Sequence, residues 1–96
     1  MNRDEVLTIL TAHRHEILGY GVQSLLLFGS VARDEGGPES DVDLLVDFGR
    51  PPSFDSYMNL KLALEDLLGK RVDLVTIGGL RVGARPGVEK DAIRVA

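Results

Sequence analysis

The chain of 96 residues, 10.4 kDa in mass, has room for one hydrophobic core, which predicts a single domain over residues 1–96. With 44% hydrophobic and 27% charged residues, its composition is that of a globular protein and excludes a disordered chain or a coiled coil. The longest apolar run, Leu25 to Phe28, is far shorter than the roughly 18 residues of a membrane span, and the N-terminus lacks the pattern of a secretion signal. We therefore expect a cytoplasmic protein that does not contact a membrane.

The formal net charge of −4 is unevenly distributed along the sequence. Residues 1–69 carry five basic and twelve acidic side chains, whereas residues 70–96 carry six basic and three acidic ones. Nucleic acid is not expected as a direct ligand, because its phosphates bind an excess of Lys and Arg. The absence of cysteine excludes thiolate metal ligands, and His13 and His15 would face different directions on a helix. Carboxylates, hydroxyls and backbone amides therefore have to supply any chemistry.

The first part of the sequence predicts a helix, a strand and a loop. Asn2 is a suitable N-cap with Glu5 three residues further on, and apolar residues recur at helical spacing until Gly19, which predicts a helix of about 15 residues. The apolar run within residues 22–28 is too short for a helix and predicts a buried strand. Residues 34–40 are rich in glycine and acidic residues, which predicts a loop.

The remaining sequence predicts a strand, a helix and another strand. The strand over residues 41–48 begins with alternating acidic and apolar residues. Ser53 can cap a helix of about 14 residues that Gly69 ends, and residues 71–77 predict the third strand. The apolar stripe expected on this helix consists of Phe54, Met58, Leu62, Leu64, Leu67 and Leu68. After the third strand we expect a turn at Gly78 and Gly79, a helix start at Pro86 and a short closing segment over residues 92–96.

Three polar features at the predicted strand ends point to one metal site. Gly29 and Ser30 follow the first strand, Asp41 and Asp43 begin the second, and Asp73 lies near the start of the third. Alternation along a strand puts the first two carboxylates on one face, with Cα atoms roughly 6.5–7 Å apart. Mg²⁺ prefers such oxygen ligands and is commonly held by carboxylates together with nucleotide phosphates. The sequence therefore predicts that all three carboxylates bind metal, and a third one allows two Mg²⁺ ions.

A phosphate site is predicted on the neighbouring turn. Gly29 lets the backbone approach a ligand closely, while the following N–H groups and the Ser30 hydroxyl can point at phosphate oxygens. Arg33, one helical turn further on, would add a charge-assisted contact to the same phosphates. In a transfer reaction at this site, Asp73 is the natural general base for an attacking hydroxyl.

These residues resemble the signature of the minimal nucleotidyltransferases. The segments Leu27 to Arg33 and Ser40 to Val46 contain Gly-Ser, ten intervening residues and then Asp-x-Asp, which is similar to that signature. The resemblance implies an α/β (α+β) nucleotidyltransferase fold, in which a small mixed sheet is flanked by helices. It also implies ATP as substrate and a catalytic, metal-binding and phosphate-binding site made of Gly29, Ser30, Asp41, Asp43 and Asp73.

The same resemblance implies a partner protein. Many stand-alone members of this family resemble antitoxins whose partner is a HEPN-type ribonuclease toxin, which would be silenced by transfer of AMP from ATP to one of its tyrosines. The small size of the chain favours this reading, because larger members use additional domains to bind the acceptor. Two alternatives stay open: a non-catalytic antitoxin that blocks the toxin by binding, and a nucleotidyltransferase that acts on a small molecule or a nucleic-acid end.

Several of these residues also have simpler interpretations. Asp41 and Asp43 are alternatively a solvated strand start, and Asp73 is alternatively one half of a surface ion pair with Arg71. Asp47 lies at the far end of the second strand and is interpreted as structural. On the second predicted helix, Tyr57 and Leu60 are interpreted as packing residues, with a partner interface as the alternative. The basic residues that either contact a partner or the nucleotide, or are merely solvated, are Arg81, Arg85, Lys90 and Arg94.

Overall fold

The computed structural model describes residues 2–33, 41–77 and 92–96. The chain is a mixed α/β protein, and the predicted helices and three strands occur in the predicted order. The structure divides the first helix in two and adds a one-turn helix after the first strand and a short fourth strand. The predicted features that lie outside the described residues are the loop over 34–40, the turn at Gly78 and Gly79, the helix start at Pro86 and the basic residues Arg81, Arg85 and Lys90.

Two consecutive helices begin the chain. Helix α1 spans Arg3–Ala12 and helix α2 spans Arg14–Leu18. Asn2 caps α1 as predicted, because its side-chain oxygen accepts a hydrogen bond from the Glu5 N–H at 2.9 Å. The prediction of one continuous helix is wrong at His13, where the backbone leaves helical geometry and the His13 N–H is shared between two carbonyls of the preceding turn.

Four strands form one mixed sheet in the order β3-β2-β1-β4. Strand β2 runs parallel to β3, whereas β1 runs antiparallel to both β2 and β4. The strand bounds are Ser24–Phe28 for β1, Val42–Asp47 for β2, Val72–Thr76 for β3 and Ile93–Arg94 for β4. A one-turn helix α3, Gly29–Ala32, follows β1 directly, and helix α4, Phe54–Leu68, connects β2 to β3. Helix α4 is the crossover that a parallel pair of strands needs. Because β2 and β3 run in the same direction, their starts lie side by side at one end of the sheet.

The hydrophobic core lies between the helices and one face of the sheet. Alternate residues of β2, Val42, Leu44 and Val46, are buried on this face, since side chains in a strand alternate between faces. Each buried side chain of this size contributes roughly 1.5–3 kcal/mol relative to an exposed one. The intervening positions of β2 therefore face the other side of the sheet, and among them are Asp43 and Asp47.

The apolar face of α4 differs from the predicted stripe. Leu60, Leu64 and Leu68 are buried, whereas Phe54 and Leu62 are 76% and 56% exposed. The prediction was wrong for these last two residues. The side of α4 that meets the sheet carries a leucine at every fourth position, from Leu60 to Leu68, and Phe54 and Leu62 lie outside this row. Leu60 is a core residue and not part of an interface. No helix in the described ranges is both long and apolar enough to cross a membrane.

Candidate active site

The predicted site residues converge at one end of the sheet. Strand β1 ends at Phe28, which is the register partner of Asp43 near the start of β2. Asp43 in turn is the register partner of Asp73 on β3. Neighbouring strands lie about 4.8 Å apart, so the last pair places two carboxyl groups side by side on the face opposite the core. Gly29 begins the turn that directly follows Phe28, and Asp41 lies one residue before β2.

Because Gly29 has no side chain, the Asp43 carboxylate can pack against its Cα atom. Its φ of +75° lies in the left-handed region that glycine adopts without steric cost. A Cβ at this position would collide with Asp43 Oδ2 and would lie 3.0 Å from Asp43 Cγ. The Gly-Ser turn and the acidic strand are therefore in direct contact. The glycine of the sequence signature is required here both by its backbone conformation and by the carboxylate packed against it.

The electrostatics at this end of the sheet combine partial burial with crowded negative charge. The pKa of Asp43 is raised, first by partial burial, and then by the charges of Asp73 and Asp41 and a side-chain hydrogen bond with Asp73. Arg33 acts in the opposite direction and lowers the pKa of the same carboxyl group. The structure thus puts Asp43 beside Asp73, with Asp41 and the charge of Arg33 near enough to influence its pKa. A site in which carboxylates destabilise one another is one that a cation would stabilise.

The donor chemistry fits a hard divalent cation, but the three acids are not gathered into one cluster. Within residues 2–33, 41–77 and 92–96, no group of three or more His, Cys, Asp or Glu side chains is arranged to hold a metal ion. The two carboxyl groups that lie side by side are those of Asp43 and Asp73, and both offer only oxygen, which Mg²⁺ prefers. Asp41 is exposed and lies before the strand, so its carboxylate would have to turn toward the pair to complete a three-ligand site.

The structure also shows the local contacts of the residues that have simpler interpretations. Asp73 forms no ion pair with Arg71, so that interpretation is wrong for this residue. Asp47 is structural as expected: its Oδ1 accepts a hydrogen bond from the Gly49 N–H at 2.7 Å. His13 makes a local contact, with Nδ1 2.9 Å from the carbonyl of Ile9. Arg94 donates from Nε to the Ala96 carbonyl at 3.0 Å.

Two residues of α4 that the sequence reading did not assign to the site contact the strand that carries Asp73. The Tyr57 hydroxyl donates to the Leu74 carbonyl at 2.5 Å, and a Glu65 carboxylate oxygen accepts from the Val72 N–H at 3.0 Å. Tyr57 and Glu65 are eight residues apart, which puts them on the same side of a helix. This spacing is the sequence feature that could have indicated a shared role. The strand they contact, however, is not evident from the sequence alone.

A carboxylate pair beside a Gly-Ser turn on a small mixed sheet is the arrangement that the resemblance to the nucleotidyltransferases implies. The sequence model of the nucleotidyltransferase domain matches residues 9–95. Protein adenylyltransferase MntA of Thermococcus cleftensis is 42% identical over 93 residues, which covers 96% of this chain and 94% of the relative. The chain belongs to the nucleotidyltransferase domain family.

Solved structures show the same fold. A structure assigned as a minimal nucleotidyltransferase superposes with a TM-score of 0.85 at 39% identity, covering 97% of this chain and 95% of the other. A chain from the complex of the tri-AMPylated HEPN toxin of Shewanella oneidensis with MNT antitoxin superposes with a TM-score of 0.69 at 17% identity, covering 94% of this chain and 71% of the other. At this lower identity the second similarity concerns the fold alone.

Proposed function

We propose that this chain is a protein adenylyltransferase that moves AMP from ATP to a tyrosine hydroxyl of a HEPN-type toxin and thereby neutralises the toxin. The observation that carries the proposal is the contact between the Asp43 and Asp73 carboxyl groups, directly beside Gly29. Two comparisons support the choice of substrate and partner: a relative with 42% identity is named protein adenylyltransferase, and a chain of the same fold occurs in a complex with an AMPylated HEPN toxin.

The triphosphate of ATP is assigned to the turn after β1. The N–H groups that follow Gly29 and the hydroxyl of Ser30 lie at the start of this turn, where they can donate hydrogen bonds to phosphate oxygens. Arg33 ends this turn and is close enough to Asp43 to influence its pKa. Its guanidinium would therefore reach phosphates that lie between the turn and the carboxylates, and would offset part of their negative charge.

The carboxylates Asp41, Asp43 and Asp73 would hold Mg²⁺, which fits their oxygen donors. When bound, the cation supplies positive charge at the transferring phosphate and at the leaving pyrophosphate. It would also remove the repulsion that raises the pKa of Asp43 in the protein alone. Asp41, which is exposed, would complete the ligand set by turning toward the other two carboxylates.

In the reaction, the acceptor oxygen attacks the α-phosphorus of ATP. The new oxygen–phosphorus bond forms as the bond between the α-phosphorus and the bridging oxygen breaks, and pyrophosphate leaves with the bonding electron pair. The proton of the acceptor hydroxyl passes to the Asp73 carboxylate, which acts as the general base. Asp73 is suited to this task because its carboxyl group is exposed and lies beside Asp43 in the register of β2 and β3.

The decisive experiment co-expresses the chain with the protein encoded by its neighbouring gene and measures the intact mass of that neighbour. We expect a mass increase corresponding to one or more AMP groups, and no increase with the double variant Asp41→Asn/Asp43→Asn. The matched control is Asp47→Asn, which alters an acid on the same strand that is engaged with Gly49 and should leave the modification unchanged.

Each other outcome identifies one of the alternatives. A neighbour that is neutralised but keeps its unmodified mass would contradict the enzymatic proposal and favour an antitoxin that acts by binding. A neighbour that is not a HEPN-type protein, together with transfer of AMP to a small molecule or a nucleic-acid end, would favour the third function.

A further inference from the structure

The strand that carries Asp73 lies at the edge of the described sheet, and its peptide groups alternate in direction. The Val42 N–H of β2 donates to the Arg71 carbonyl, which fixes the alternation. In β3 the N–H and C=O groups of odd-numbered residues, including Asp73, therefore face β2. Those of even-numbered residues face away from β2. The outward groups next to Asp73 belong to Val72 and Leu74. These outward groups need partners other than β2.

Helix α4 supplies a partner on each side of Asp73. A carboxylate oxygen of Glu65 accepts from the Val72 N–H at 3.0 Å, and the Tyr57 hydroxyl donates to the Leu74 carbonyl at 2.5 Å. Both hydrogen bonds are partly buried, so breaking either leaves a polar backbone group with reduced access to water. The N–H of the residue before Asp73 and the carbonyl of the residue after it are thus tied to two side chains of one 15-residue helix.

The contact between Asp43 and Asp73 makes this attachment relevant to the reaction. Two carboxylates on neighbouring strands repel each other when both are charged, and the repulsion pushes the edge strand away from the sheet. On the inner side β3 is held by β2, and on the outer side it is held by the two α4 contacts. These contacts therefore oppose a displacement that would separate the two carboxylates.

We propose that Tyr57 and Glu65 are positioning residues that hold β3 on both sides of Asp73 and so keep its carboxylate beside that of Asp43. The inference rests on the proposed function, in which Asp73 takes the proton of the acceptor. Neither residue touches the reacting atoms; each acts through the backbone of β3. A displacement of about 1 Å at a reacting group is enough to lower a rate about 100-fold.

The test compares variants that remove one contact at a time. Tyr57→Phe removes only the hydroxyl, Glu65→Met removes the acceptor at nearly constant size, and Glu65→Gln keeps an acceptor oxygen. Asp66→Asn is the matched control, because it alters the neighbouring exposed carboxylate on the same helix. The readouts are kcat and KM for ATP in AMP transfer to the neighbouring-gene toxin, at a temperature at which each variant is folded. An NMR measurement of the cross-strand contact between Asp43 and Asp73 accompanies them.

We expect Tyr57→Phe and Glu65→Met each to lower kcat about tenfold, and the double variant about 100-fold, with KM for ATP changed less than about twofold. Glu65→Gln should recover most of the rate, and Asp66→Asn should keep all of it. The NMR contact should weaken in the double variant. An unchanged kcat in the folded double variant would overturn the positioning role.

The NMR measurement separates failure of this inference from failure of the proposed function. If the unaltered chain transfers no AMP, the proposed function fails, while the Asp43 to Asp73 contact still reports on the position of β3. Loss of that contact in the double variant, with the Leu27 to Leu44 contact retained, would support the positioning role. Retention of both contacts would refute it.

Discussion

Strand β2 carries two aspartates on the same face, four residues apart, and their surroundings are opposite. Asp47 at the end of the strand accepts a backbone hydrogen bond from Gly49 at 2.7 Å, and its carbonyl accepts another from Gln23 at 2.7 Å. Asp43 near the start lies against a second carboxyl group, that of Asp73, and its pKa is raised by burial and by like charge. Residue type and strand parity are identical, so the neighbours decide the role. Asp47, whose carboxylate accepts a hydrogen bond, ends the strand. Asp43, whose charged form is destabilised by its surroundings, marks the candidate active site.

The largest expected difference between these two ends of β2 is in activity. Asp43→Asn should lower AMP transfer at least about 1,000-fold, equivalent to about 4 kcal/mol of transition-state stabilisation, because a proposed metal ligand is lost. Asp47→Asn should leave the rate within about twofold and cost less than about 1 kcal/mol of stability, because asparagine keeps an oxygen that can accept from the Gly49 N–H. Single-turnover transfer assays and urea unfolding of both variants measure the two quantities. Equal rate losses would show that the two ends do not differ in function.

The glycines at the two ends allow a second matched comparison. Gly29 and Gly49 share a φ of +75°, so replacement by alanine costs each about 1–2 kcal/mol of backbone strain. At Gly49 the added Cβ would lie 3.0 Å from the flexible end of Gln23, which can move. At Gly29 it would collide with the carboxylate of Asp43. We expect Gly29→Ala to cost about 3 kcal/mol in all and to abolish transfer, and Gly49→Ala to cost about half as much with activity kept. Thermal unfolding and transfer assays on both variants provide the check, and similar costs would contradict the packing described for Gly29.

The site residues were predicted from the sequence because their chemistry depends on local pattern. Gly29, Ser30, Asp41 and Asp43 stand at a fixed spacing along the sequence, and strand alternation predicts one face for the two acids. In the structure β2 begins at Val42, so Asp41 lies just outside the strand. The position of Asp73 beside Asp43 depends on the parallel register of β2 and β3, which no local pattern specifies. The sequence grouped Asp73 with the other two acids from its place near a strand start and from the family resemblance, and the structure puts Asp73 beside Asp43 in the strand register.

The surface of α4 shows where sequence reasoning falls short. Apolar residues on this helix outnumber the positions that the sheet can cover, so periodicity alone does not select among overlapping stripes. Leu60 is fully buried, whereas Leu62, two residues away and on another side, is 56% exposed. The interruption at His13 was missed for a related reason, because neither glycine nor proline marks it. Tertiary packing decides both features.

Magnesium should distinguish the two ends of β2 by a moderate effect on stability. If the cation binds the folded site and not the unfolded chain, a free concentration of ten times its dissociation constant adds about 1.4 kcal/mol to the free energy of unfolding. The Asp47→Asn variant should show the same gain, and Asp43→Asn should show none. Calcium-free buffers with and without MgCl₂, and with a chelator as the reference, allow the gain to be measured by thermal unfolding. A gain that survives in Asp43→Asn would place the cation elsewhere.

The pH dependence of stability is the smallest effect expected and the one most specific to Asp43. Because its pKa in the folded protein is raised above the ordinary value of 3.8, the folded chain binds this proton more tightly than the unfolded chain does. The charge on Asp43 therefore destabilises the fold at neutral pH, and the penalty declines as the pH falls through the raised pKa and is gone below 3.8. Asp43→Asn never carries the charge, so in chelator it should be more stable than the unaltered chain at pH 7, with a difference that shrinks to nothing in acid. Urea unfolding across this range measures the difference. A gap that stays constant or widens toward low pH would show that burial and the charges of Asp73 and Asp41 do not raise the pKa of Asp43 and so do not separate it from Asp47.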